Sequence, residues 1–350
     1  MKTKKYFKRH KDYGFWDQDL RLSKISKLGD PLEKLIGGVD FELFRELLDS
    51  RLSKIPKGEG GRPPYDYVLM FKILILQRYY NLSDDQVEFQ INDRLSFMRF
   101  LDLTISDDIP DSRTVWCFKN QIAELELSEE LFALFLKELD RLGLIVNEGK
   151  IVDASFVEVP RQRNKREENE QIKEGKGEEL WQDKPNKKRH KDIDARWTKK
   201  DDAVIFGYKN HVKQDSKSKL IVKYMVTSAE VHDSKATEHL LDDSDRGEPF
   251  YADSAYTGES QEKIIDDKGM ENRVCEKGYR NRPLTDGQKA NNREKSRIRS
   301  RVEHIFGFME MSMNEMYINC IGLKRATATI GLMNLTYNMF RKVQLDTIMG

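Results

Sequence analysis

GKIVDASFV, residues 149–157, is the stretch on which the fold turns. Before it, apolar residues recur at intervals of three and four. From it onward they gather in short runs rich in β-branched and aromatic residues, the pattern of strands. The run also stops at an acid, Asp153. A strand that ends on a carboxylate holds it in place by backbone pairing while keeping its charge near water. PFYADSAYTG, residues 249–258, repeats the arrangement with Asp253.

Upstream, residues from about 30 to 143 have the helical period: PLEKLIGG, FELFRELLDSRLSKI, YDYVLMFKILILQRYY, DDQVEFQINDRLSFMRFL and SEELFALFLKELDRLGL. Pro63 and Pro64 precede one helix, Asn81 to Ser83 separate two more, and Pro110-Asp111-Ser112 supplies a stop followed by a cap. A compact helical unit over residues 1–145, with helix-turn-helix-like pairs suited to holding DNA or a second copy of the chain, is expected. VLMFKILIL, interrupted by Lys72, is too short to span a bilayer and predicts a buried helix.

Downstream, AVIFGYKNHVKQD and KLIVKYMVTSAEV alternate like the arms of a hairpin turning at Asp215 to Ser218. PFYADSAY makes a fourth strand and NRVCEK a fifth. The helix of RIRSRVEHIFGFME carries Glu303, and TATIGLMNLTYNMFRKV predicts an amphipathic closing helix. Between the first strand and the hairpin, residues 161–200 are highly charged, with few apolar residues besides Ile172, Leu180, Trp181, Ile193 and Trp197. Such a tract predicts a mobile insertion or a DNA-contacting loop.

The overall charge is nearly balanced, with Lys+Arg 61 against Asp+Glu 60, so its distribution carries the information. Residues 273–301 hold ten Arg or Lys against three acids. A basic segment leading into the helix of Glu303 is where a polyanion would be gripped. Cys117, Cys275 and Cys320 form no CxxC pair and leave one unmatched, which points away from a zinc module or a disulfide framework and toward a reducing compartment. The start, MKTKKYFKRHKDYGFW, is basic without an apolar region after it, so a cytoplasmic protein with no membrane partner is expected.

Eight motifs, in order, resemble the DDE transposases of bacterial insertion sequences, in the superfamily typified by the fourth and fifth groups and closest to the fifth. They are GRPPYDYVLMFKILILQ, DSRTVWCFKNQI, VDAS, DARWTKKDD, GYKNHVKQD, VHDS, YADSAYTG and RSRVEHIFGFM. The resemblance implies an α/β fold, a ribonuclease-H-like mixed sheet with flanking helices over residues 146–350, preceded by the helical unit. It implies Asp153, Asp253 and Glu303 as catalytic residues and ligands of Mg²⁺, with Mn²⁺ as a substitute and two ions in the site. Oxygen donors of this kind suit such ions, which activate a nucleophile and stabilise a leaving oxygen in phosphodiester chemistry. The partners implied are double-stranded DNA with terminal inverted repeats and target DNA, bound by a homo-oligomer, a dimer in the simplest case, that brings two ends together.

Arg299, four residues before Glu303, belongs to the family signature and is expected to hold DNA phosphate. Lys209, His211, Arg297, Arg301 and Trp197 are further expected DNA contacts, His232 and Asp233 are candidates for facing the site, and Trp197 and Tyr256 candidates for stacking on an unpaired base. Taken singly, each residue has a plainer use: a strand-end Asp caps a turn, Glu303 pairs with Arg299 across one helical turn, and an aromatic packs in the core. The chain departs from the family pattern at Ser296, where a Tyr is expected, and at Glu310, where a Lys is expected. The alternative is a catalytically inactive or domesticated descendant that only binds DNA. A tyrosine recombinase is excluded by the lack of an HxxR motif at His304, which is followed by Ile-Phe-Gly, and paired-acid sugar hydrolysis suits the basic tract poorly.

Overall fold

The computed structural model describes residues 14–53, 63–200, 202–280 and 282–349. Eight helices come first: α1 (Asp17–Lys27), α2 (Pro31–Gly38), α3 (Arg45–Leu52), α4 (Tyr67–Tyr79), α5 (Asp84–Asp93), α6 (Leu95–Phe100), α7 (Ser112–Glu124) and α8 (Leu127–Arg141). Their starts follow from local chemistry. The Asp66 carboxylate accepts the Leu69 N–H at the head of α4, Ser83 and Gln86 form a reciprocal capping box on α5, and Asp111 accepts the Thr114 N–H on α7. As expected, α4 is buried along most of its length. Its Lys72 is neutralised by Asp102 at 2.6 Å and lies over the rings of Phe41 and Phe100.

The sheet comprises β1 (Lys150–Glu158), β2 (Arg196–Lys200), β3 (Ala203–Asp215), β4 (Ile221–Ser228), β5 (Pro249–Tyr251) and β6 (Glu271–Asn272). The long β3 is central, antiparallel to β1, β4 and β2, while β5 runs parallel to β1 and β6 parallel to β5. Four antiparallel strands extended on one side by two parallel ones make the mixed, ribonuclease-H-like sheet that the resemblance implied. Successive β1 residues feed opposite faces: Ile151 joins the main core, and Val152 a smaller cluster with Leu240, Phe250 and Ile265.

Two expectations fail. The tract 161–200 is not a bare loop: it folds into α9 (Arg166–Lys173), α10 (Pro185–Arg189) and β2. Its organiser is Trp181, which is buried, donates to Glu168 at 2.7 Å and lies under Lys187 and Lys191. One aromatic ring clamped by cations thus replaces the broad apolar face that the composition lacks. The fifth strand also lies slightly earlier than NRVCEK, ending at Asn272.

After α11 (Thr237–Leu240), α12 (Glu259–Asp267), α13 (Asp286–Arg299) and α14 (Glu303–Met311), the closing helix α15 (Leu323–Met349) is a third surprise. It is buried on every side from Ala328 to Arg341 rather than amphipathic. It packs on α2, α4, α7 and α8 on one side and on β4 on the other. One apolar cluster accordingly includes Phe44, Phe71 and Phe135 of the N-terminal helices, Ile151 and Tyr208 of the sheet, and Ile330 and Met339 of α15.

Candidate active site

Parallel pairing of β1 with β5 sets Ile151 beside Tyr251. Asp253 lies two residues beyond the end of β5, where it caps the 3₁₀ turn Ser254–Tyr256, and its charge acts on Asp153, inside β1, across the two closely set strands. Gly149, just before β1, permits this close approach, because a Cβ there would stand 3.0 Å from Pro249 Cγ. The Asp153 carboxylate accepts the Ala154 N–H at 2.8 Å and pairs with Arg299 at 3.2 Å. Asp253 accepts the Ala255 N–H at 2.8 Å, so it does cap the turn that follows.

Burial is the largest influence on Asp153 and pushes its carboxyl up to about 6. The Ala154 N–H and Arg299 oppose the rise, while Asp253 and Asp233 reinforce it. Asp233, in the VHDS motif, is therefore a third acid within electrostatic reach. It is held by Lys209, whose ammonium donates to it at 2.8 Å and to the Val231 carbonyl at 2.6 Å. Beneath these acids, Tyr256 is fully buried and its hydroxyl has no hydrogen-bond partner; burial and the charges of Asp153, Asp233 and Asp253 raise its pKa. Its placement in the smaller core makes it a packing residue.

Glu303 is the first residue of α14 and its side chain is exposed. A turn of 3₁₀-helix, Ser300–Val302, separates it from Arg299 and lies against β1. That turn is pinned by Arg301, which donates to the Ser216 carbonyl, and by Gln214, which donates to the Arg301 carbonyl. Arg299 turns away from Glu303, the partner that helical spacing suggested, and toward Asp153. Among the described residues, no three His, Cys, Asp or Glu side chains are gathered closely enough to hold a metal ion. The structure thus unites Asp153 and Asp253 with Arg299 and Asp233 and leaves Glu303 about one helical turn from Arg299.

The expected DNA contacts divide. Arg297 and Trp197 are exposed, Trp197 resting on Phe206, and α13 contributes no buried residue. Lys209 and His211 are buried, so their strand presents neither to a duplex. His211 bonds Thr227, and burial drives its pKa down to about 4, which keeps the ring neutral; Asp233 opposes the fall and Lys209 adds to it. Both side chains followed an alternating pattern in the sequence, but β3 is covered on both faces, which alternation alone did not reveal. His232 is exposed and its ring bonds Ser234.

A model of the transposase DDE domain matches residues 146–339, more than half of the chain. The chain is a DDE transposase. A second model, a transposase domain (DUF772), matches residues 20–121, and together the two place it with the transposases of the fourth and fifth insertion-sequence groups. No solved structure matches it. Transposases of this family act on insertion-sequence DNA and generally use divalent metal ions. No helix of the described residues is long and apolar enough to cross a membrane.

Proposed function

We propose that this transposase cleaves the ends of its insertion sequence and joins the 3′-hydroxyls to target DNA, with Asp153, Asp253 and Glu303 binding Mg²⁺. The observation that carries this is Asp153: a largely buried carboxyl within electrostatic reach of Asp253 and Asp233, its proton affinity raised first by burial and further by those two negative charges. Such a donor set suits a hard divalent cation, whose charge relieves the repulsion. Two such ions would supply Lewis-acid stabilisation of the phosphorus centre and of the entering and leaving oxygens.

The chain's own residues do the rest. Arg299 is the cation paired with Asp153, and its fork suits a phosphate oxygen as well as a carboxylate. Glu303, exposed at the start of α14, completes the set by turning its side chain back across the 3₁₀ turn toward the other two acids. Lys209 fixes Asp233, and so the negative wall behind Asp153. The exposed basic residues of α13, Arg297 among them, draw the duplex along the approach to the acids. We take residues 1–145 as the part that holds DNA ends or a second protomer, residues 146–350 as the catalytic part, and the assembly as a dimer acting in the bacterial cytoplasm.

Purified protein with Mg²⁺ and a duplex bearing the inverted repeats that flank the gene provides the test. Asp153→Asn, Asp253→Asn and Glu303→Gln are each expected to reduce cleavage and joining to background while end binding persists. Arg299→Ala is expected to slow cleavage by roughly 10- to 100-fold. Full turnover by any of the three acid variants would refute the assignment. The exposed position of Glu303 favours a second reading, DNA binding without cleavage, and a wild-type protein that binds the ends but never cuts them would establish it.

A further inference from the structure

Away from the acids, the turn between α4 and α5 meets the segment that leads into α15. Asn81 donates to the Asn314 carbonyl at 2.8 Å and Asn314 to the Tyr80 carbonyl at 3.2 Å, so the two segments are clamped together. Between them lies a cavity of about 240 Å³. It shares Asp84, Lys119, Asn319, Cys320 and Thr329 with a neighbouring cavity of about 300 Å³ that extends past Trp116 and Arg325.

Arg78 lines the first cavity and is only 8% exposed, and its guanidinium has neither a hydrogen-bond nor an ion-pair partner among the described residues. The nearby acid is already taken: Asp84 accepts from Lys119 at 2.5 Å and from Gln77 at 2.6 Å. Burial lowers the pKa of Arg78, with Cys320 and Asp84 opposing, as expected of a cation removed from water without compensation. A buried, uncompensated guanidinium facing a cavity calls for an anion. The N-terminus of α5, whose Ser83 and Gln86 also line the cavity, adds a dipole of the same sign.

We propose that this cavity binds an internucleotide phosphate of DNA, with Arg78 as its counter-ion and the adjoining nucleoside lying against Trp116. Trp116 is 49% exposed at the wall of the second cavity, and base or sugar packing on such a ring is sequence-tolerant. Arg325 is exposed beside it; its Nε donates to Asn120 at 2.9 Å. The cavity is also tied to the catalytic sheet. Tyr317, on its rim, bridges Glu158 at the end of β1, five residues and about 16 Å along the strand from Asp153. A strand of DNA held here is positioned relative to the acids through a single β-strand.

The proposal rests on the transposase reading only in taking DNA as the partner, and binding measured without divalent metal separates it from the fate of the catalytic acids. With full-length protein, Arg78→Met is expected to weaken binding roughly tenfold on both an end-containing duplex and a scrambled one, and to reduce the slope of log affinity against log salt by about 0.9. The melting temperature of the free variant is expected to hold or rise, since an uncompensated buried charge is gone. Trp116→Ala, at a half-exposed position that leaves folding intact, is expected to weaken binding without changing the slope. Unaltered affinity and slope in both variants would overturn the proposal, as would a fall in the melting temperature of Arg78→Met with normal binding, the mark of a structural cation. Millimolar inorganic phosphate at fixed ionic strength is expected to raise the melting temperature of the wild type and not of Arg78→Met. If it does so while duplex affinity is untouched by the variant, the cavity serves a free phosphate compound and the DNA assignment falls.

Discussion

Asp153 is where catalysis and stability conflict. A carboxylate that is to hold a metal must be ionised, yet burial among other acids resists ionisation, and the Ala154 N–H at 2.8 Å and Arg299 at 3.2 Å oppose that resistance only in part. The sign of the consequence follows from linkage. The carboxyl titrates near 6 in the fold and near 3.8 when exposed, so the folded chain holds the proton more tightly. Stability is then lost as pH rises from about 4 to about 6 and stays lower above it. Asp153→Asn removes this penalty. The variant is expected to be catalytically dead but, above pH 6 without metal, more stable than the wild type by on the order of 1–3 kcal/mol, with the advantage vanishing below pH 4. Paired urea titrations across that range measure it, and a variant less stable at pH 8 would show that the Arg299 pairing outweighs the desolvation. Asp153 and Asp253 were legible as candidates because each closes an apolar run, but neither ends its strand as expected: β1 continues past Asp153 to Glu158, since pairing with β3 needs no apolar side chains, and β5 stops at Tyr251, two residues before Asp253. The direction of the Arg299 side chain was not legible, since a helical repeat gives spacing to Glu303 but says nothing of a strand packed alongside.

At the scale of elements, alternation in AVIFGYKNHVKQD and KLIVKYMVTSAEV identified the hairpin on which the site is built, while the family resemblance, not the alternation, supplied the arrangement of the sheet. Strand β2 escaped notice because DARWTKK has few apolar residues and its pairing partner, the first half of β3, was already assigned to the hairpin. Gly207 makes the double use of β3 possible. It pairs with Glu158 of β1 and with Arg196 of β2, and a Cβ there would lie 2.1 Å from the Val157 carbonyl oxygen, a backbone atom that cannot yield cheaply. Gly207→Ala is therefore expected to push β3 from the end of β1 and cost about 1–3 kcal/mol. Hydrogen exchange should locate the damage, with faster exchange in β2 and the last residues of β1 than in β4. Uniform loss of protection across the sheet would mean that the close approach at Gly207 is not what joins β2 to the rest.

The whole molecule is held by α15. Its apolar residues read as one face of an amphipathic helix because periodicity counts only apolar side chains. The polar positions Asn334, Asn338 and Arg341 are buried too, each matched to the sheet or its turn. Asn334 exchanges amide hydrogen bonds with Asn210, Asn338 bonds both the N–H and the carbonyl of Ile221, and Arg341 donates to the Ser218 carbonyl. A helix satisfied in this way can be buried on all sides, with the N-terminal helices on one flank and β4 on the other. The division at residues 145/146 suggested by the change of period therefore does not coincide with a division of the core. Such a shared helix couples the two parts energetically, and unfolding is expected to be a single cooperative transition. Asn338→Ala leaves the N–H and carbonyl of Ile221 without partners and is expected to lower the stability of the entire chain by about 2–4 kcal/mol. Calorimetry, together with fluorescence of variants that keep only Trp116 in the helical part or only Trp181 in the catalytic part, should report one midpoint that Asn338→Ala moves for both probes. Two midpoints, with only the Trp181 signal shifting, would mean that α15 belongs to the sheet alone and that the helical unit merely rests against it.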